Sequence, residues 1–87
     1  MFIGEGGGTA YLSPGDSTRN SFLVTLAMTN NTGSVVVNQM GVDSSTWFPL
    51  VIDNVTIELG SENTMRSVYA PCKLQVVATG CGVRLYN

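Results

Sequence analysis

No charged residue falls between Arg19 and Asp43, and this uncharged run limits the folds open to the chain more than any other feature. Residues 21–29 alternate as a strand does: Phe22, Val24, Leu26 and Met28 share one face, Leu23, Thr25, Ala27 and Thr29 the other. Residues 34–40 carry a valine triplet, which favours extended backbone. Between them stands Asn30-Asn31-Thr32-Gly33, turn chemistry. The run therefore reads as a β-hairpin at the centre of an all-β domain. Leu26, Ala27 and Met28 favour helix, but the turn residues and the valines decide for strand. Both faces of the first strand are apolar or small, which suits a strand covered on both sides by a facing sheet or a second subunit. The run is not a membrane span, because Asn30, Asn31, Asn38 and Gln39 would be costly in hydrocarbon.

The rest of the chain repeats the pattern at short intervals. Strands are expected over 9–12, 47–52, 55–59, 64–69, 72–79 and 83–86, with turns at Pro14-Gly15, Asp53-Asn54, 60–63 and 80–82. Pro49 has no N–H for a ladder, so its strand belongs at an edge or a bulge. In 55–59, Val55, Ile57 and Leu59 are expected inward and Thr56 and Glu58 outward. Spacing of this kind predicts a compact antiparallel β-sandwich or barrel of about eight short strands. Gly6-Gly7-Gly8 permits many backbone states. Residues 1–8 are therefore expected as a flexible glycine-rich arm, and 9–87 as one β domain.

Composition narrows the function. Charged residues make up 11% of the chain, against roughly 25% in an average soluble domain; 26 Ser, Thr, Asn and Gln residues take their place. Four basic against six acidic residues, with no basic run, argue against nucleic acid. The N-terminus lacks a basic region followed by a long apolar run, so the chain reads as made in the cytoplasm. Histidine is absent, and with it the commonest general base and metal ligand. Cys72 and Cys81 are too few for a structural zinc site. With a strand between them they lie about 20 Å apart, beyond disulfide reach, so both are expected as free, partly buried thiols. Asp43, Asp53 and Glu62 would line a calcium site only if their loops converge, and the chain has no Asp-x-Asp-x-Asp-Gly run. The expectation is a non-enzymatic protein without a cofactor or metal.

A chain this short buries only about 60% of its unfolded surface, so it gains from hiding more against a partner. A homo-oligomer or attachment to a larger assembly follows. The side chains expected at such interfaces are Phe2 and Ile3 on the arm, Phe22 and Leu23 on the uncharged strand, and the Trp47-Phe48 pair. Two classes of function fit: a structural protein that docks to an assembly, or a small β-sandwich module for a glycan or peptide.

A short all-β chain, poor in charge, without histidine, rich in Gly, Thr, Ser, Asn and Val and carrying a glycine-rich arm, resembles the small virion proteins of tailed bacteriophages, in particular capsid decoration or cement proteins. The resemblance lies in general character and transfers no functional residues. It implies trimers, or other small oligomers, that sit across junctions between major capsid proteins and stabilise the head, with the arm reaching a neighbouring capsomer. It implies residence in the virion after synthesis in the host cytoplasm, with no nucleic-acid or membrane partner. The alternative, a glycan- or peptide-binding module, would suit a tail or fibre component.

Overall fold

A computed structural model describes residues 2–12, 22–41, 45–70 and 73–86. The described chain is all-β, as the turn spacing predicts, with eleven strands: β1 (Phe2–Ile3), β2 (Gly7–Leu12), β3 (Phe22–Met28), β4 (Ser34–Met40), β5 (Trp47–Pro49), β6 (Val51–Ile52), β7 (Val55–Thr56), β8 (Glu58–Leu59), β9 (Met65–Ala70), β10 (Leu74–Thr79) and β11 (Val83–Tyr86). All pairings are antiparallel. One sheet runs β1-β11-β3-β9 and the other β2-β10-β4-β5, with β8 also on β4.

The two sheets enclose one core. The first contributes Val24, Leu26, Val68, Val83 and Leu85; the second contributes Leu12, Val35, Val37, Leu74 and Val76. In the longer strands β4, β9, β10 and β11 every second residue points in along most of the strand, the period-2 pattern of a strand with one buried face. Val24, Leu26, Val35, Val37, Leu74, Val76 and Val83 are completely buried.

The expected hairpin over 20–42 does not form. β3 and β4 lie in different sheets, and residues 29–33 cross between them. The physical reason lies in the turn and in the strands. The side-chain oxygen of Asn30 accepts from the Thr32 backbone N–H (2.9 Å) and hydroxyl (2.8 Å), an Asx turn. Val24 and Leu26 on one strand and Val35 and Val37 on the other then bury against each other from opposite sides of the core. Gly33 makes the crossing possible: a Cβ there would lie 2.4 Å from the Thr79 carbonyl oxygen and 2.8 Å from Cys81 Sγ.

The tight two-residue turn falls instead at Asp53-Asn54, with φ of 53° and 66°, the left-handed pair that joins hairpin strands. It caps a β6–β7 hairpin, an ear that interrupts what the sequence presents as longer strands over 47–52 and 55–59. The main chain runs along β4 as β5, leaves at Leu50, returns at Ile57 and resumes as β8. The Leu50 N–H donates to the Val37 carbonyl (3.0 Å) and the Ile57 N–H to the Leu50 carbonyl (2.8 Å), closing the ear at its base. Leu50 and Ile57 turn fully inward. Val55, expected inward, stays on the ear and is 48% exposed.

Within the segment expected as an arm, Phe2 and Ile3 pair with Arg84 and Val83, and Gly7 and Gly8 with Thr79 and Ala78, while 4–6 form the turn between them. Glycine is what admits Gly7 to a strand, since its φ is +87° and a Cβ would meet the Ala78 carbonyl oxygen at 2.6 Å. Cys81 is a fully buried free thiol, deeper than the partial burial expected. Cys72 lies outside the described residues.

Candidate functional site

The outer face of the four-stranded sheet gathers half of the large exposed apolar side chains of the described residues. The strand register places them in rows: Phe2, Arg84, Ala27 and Met65; Tyr86, Thr25 and Ser67; Leu23 and Tyr69. Phe2, Leu23, Met65, Tyr69 and Tyr86 are between 48% and 68% exposed. At the centre the Thr25 and Ser67 hydroxyls hydrogen-bond to each other at 2.8 Å. Arg84 is the one charged group in these rows. The face is thus largely apolar, with a paired couple of hydroxyls at its centre.

The outer face of the five-stranded sheet has a different character. Tyr11 on β2 and Trp47 on β5 meet over it, ring centroids 5.7 Å apart and planes tilted by 44°. Beside them the Asn38 side-chain amide donates to the Gln75 side-chain carbonyl at 2.9 Å, and the Gln75 amide reaches Tyr11 Oη at 3.5 Å. The patch is built from aromatic rings and amides, with Lys73 in the row of Met40 and Trp47 and Glu58 opposite Val36 as the charged groups beside it.

The side chains expected at interfaces fall in different settings. Phe2 and Leu23 are exposed on the apolar face. Ile3 is not available to a neighbour: it is 6% exposed and packs in this chain's own core, because its pairing with Val83 turns it inward. Trp47 is half-buried against Tyr11 rather than plugged into the core. Phe48 is 49% exposed and lies over Gly41, where a Cβ would collide with its ring. Phe22 begins β3 beside Ala70. Met65, Tyr69 and Tyr86 were not singled out from the sequence. Their alternation was visible, but alternation does not say which of two faces is the outer one.

The charged groups are scattered. Glu5 is held below the ordinary carboxylate range by hydrogen bonds from the side chains of Thr29 and then Asn30, the latter at 2.9 Å. That contact pins the β1–β2 corner to the crossing. Asp53 sits at the tip of the ear and Glu62 in the 60–63 turn; Asp16 and Asp43 lie outside the described residues. Among the described residues no three acidic or thiol groups converge as a metal site would require.

An open apolar cleft of about 630 Å³ lies between the ear and β9, lined by Leu23, Ile52, Val68 and Tyr69 above the buried Leu50 and Ile57, with Arg66 also on its lining. No family model, curated protein or solved structure matches this chain, so its surfaces carry the functional argument.

Proposed function

We propose that this chain is a non-catalytic structural protein that works by docking, burying the outer face of its four-stranded sheet against sister subunits and a larger assembly. The observation that carries the reading is the set of five large apolar side chains, each about half exposed or more, on one flat sheet face with a single charge. A standard interface buries about 1,600 Å² in total, and such a sheet face supplies an apolar centre for one. The resemblance to phage decoration proteins names the assembly: a capsid shell, clasped at junctions between major capsid proteins by trimers or other small oligomers.

Light scattering after size exclusion tests the first half, and co-sedimentation with purified expanded shells the second. The wild-type chain is expected as an oligomer that shells retain, and Phe2→Glu with Tyr86→Glu as a folded monomer that they release. A wild-type monomer that shells ignore would sink the proposal.

A second reading rests on the Trp47–Tyr11 pair and the adjoining Asn38 and Gln75 amides. Aromatic rings beside neutral hydrogen-bonding groups suit a sugar. It requires glycan-array binding that Trp47→Ala removes while the sheet-face variant keeps it.

A further inference from the structure

The cleft beside β9 has three properties that select one kind of occupant. The first is a free backbone edge. β9 is the terminal strand of its sheet. The Met28 N–H donates to the Thr64 carbonyl (2.8 Å), which makes Thr64 and Met28 a hydrogen-bonded pair. By alternation Arg66, Val68 and Ala70 turn their backbone groups toward β3. Met65, Ser67 and Tyr69 therefore direct theirs away from the sheet, toward the cleft side, and among the described residues no strand takes them. The second property is the apolar lining of Ile52 and Val68 above the buried Leu50 and Ile57. The third is the Arg66 side chain, half-buried on the lining, without a hydrogen bond or ion pair among the described residues. Glu58 and Glu62 face it across a shallower hollow of about 420 Å³ on its other side, outside contact range.

We infer that this cleft accepts an extended segment of a partner protein, which adds to β9 as a fifth strand of that sheet and carries an acidic residue opposite Arg66. An extended peptide backbone matches the spacing of the N–H and C=O groups along the edge and replaces the water there. Alternate side chains of the added strand drop inward, so those opposite Val68 and Ala70 must be apolar to pack against the cleft-lining Ile52 and Val68. The one opposite Arg66 must be anionic, because a guanidinium covered without a partner is costly. Run antiparallel to β9, the donated strand reads apolar, any, apolar, any, acidic. This deepens the docking reading and rests on it for the existence of a protein partner.

The test uses the full chain and a fluorescein-labelled peptide, Thr-Ile-Thr-Leu-Thr-Glu-Thr, with two companions: one with Lys in place of Glu, one N-methylated at the threonines that face β9. Fluorescence anisotropy is expected to show the Glu peptide binding about tenfold tighter than the Lys peptide or better, roughly the strength of one charge-assisted contact. Arg66→Glu reverses that order and Arg66→Gln removes it; N-methylation abolishes binding. Amide signals of Met65, Ser67 and Tyr69 gain exchange protection in the complex. Equal binding of the Glu and Lys peptides, or retained binding of the N-methylated one, overturns the inference. So does decanoate filling the cleft while the peptide does not, or dimerisation of the chain through β9 itself. A chain that self-associates through Phe2 and Tyr86 yet ignores the peptide loses only this inference; one that binds the peptide but neither self-associates nor binds shells loses only the docking face.

Discussion

Two neighbouring leucines of β3 separate folding from docking. Leu26 is completely buried, while Leu23 is 48% exposed on the outer face. Leu26→Ala removes three carbons from the core, about 2.4 kcal/mol at ~0.8 kcal/mol per carbon. A residual cavity of roughly 70 Å³ adds ~1.7 kcal/mol at ~24 cal/mol per Å³, for a total of about 4 kcal/mol. Leu23→Ala removes the same atoms from a site already half in water and leaves no enclosed void, so its cost is about 1 kcal/mol. A domain of this length has roughly 4–13 kcal/mol to lose. Leu26→Ala is therefore close to unfolding it, whereas Leu23→Ala is mild. Urea denaturation followed by Trp47 fluorescence, at a protein concentration low enough for the monomer, reads both. At about 1 kcal/mol/M, the midpoint falls by about 1 M for Leu23→Ala and by several molar for Leu26→Ala. Raising the protein concentration adds mass-action stability to the wild type. The penalty of Leu23→Ala is then expected to grow with concentration, while that of Leu26→Ala, already present in the monomer, stays far larger at low concentration. Equal losses for the two variants in dilute solution would refute the assignment of faces. A Leu23→Ala penalty independent of concentration would refute the role of that face in association.

Other outcomes follow from single positions. Gly7→Ala is expected to cost about 1–3 kcal/mol by thermal melt, since it forces a side chain into a positive-φ site against the Ala78 carbonyl. Gly4→Ala, with nothing within 4 Å of the added carbon, is expected to be silent. Asp53→Asn with Asn54→Gly gives the ear's turn its preferred residues and is expected to stabilise by about 0.5–1 kcal/mol in the same assay. The Glu5 carboxyl titrates below the ordinary value through Thr29 and Asn30. Its contribution is thus present above the unfolded pKa and lost as pH falls through the lower folded one. NMR titration should find that Asn30→Ala moves the pKa upward, and an unmoved value would contradict the contact.

How much of this was legible from residues alone depended on range. Strand positions were, because alternation is a local signal: the 34–40 strand falls where the valines put it. Asp53-Asn54 was legible as a turn because its chemistry is local too. The partnering of β3 was not. Asn30-Asn31-Thr32-Gly33 suits a hairpin tip and an inter-sheet crossing equally, and the choice is made by the core that closes around it. Leu50 and Ile57 likewise read as interior strand positions, and only their joint burial reveals that the six residues between them stand out as an ear. The exposed face was half visible: Leu23 came from the excess of apolar surface on β3, while Met65, Tyr69 and Tyr86 needed the register. The cleft joins residues from β3, the ear and β9, a meeting of distant segments that no local pattern encodes.

The ear and Pro49 also bear on whether this molecule makes a closed particle or an endless fibre. A sheet propagates indefinitely only if each subunit offers two complementary edges. Here β5 and β8 give the far edge of β4 only short stretches broken by the ear, and Pro49 removes one donor from it. β1 is two residues long, and β2 opens with two glycines in positive-φ backbone. The unbroken six residues of β9 remain. With one long receptive edge among the described strands, edge-to-edge strand addition stops after a single step. Growth beyond that step runs through the outer sheet face or follows the symmetry of what the subunit binds, and is counted in closed contacts rather than in polymer length.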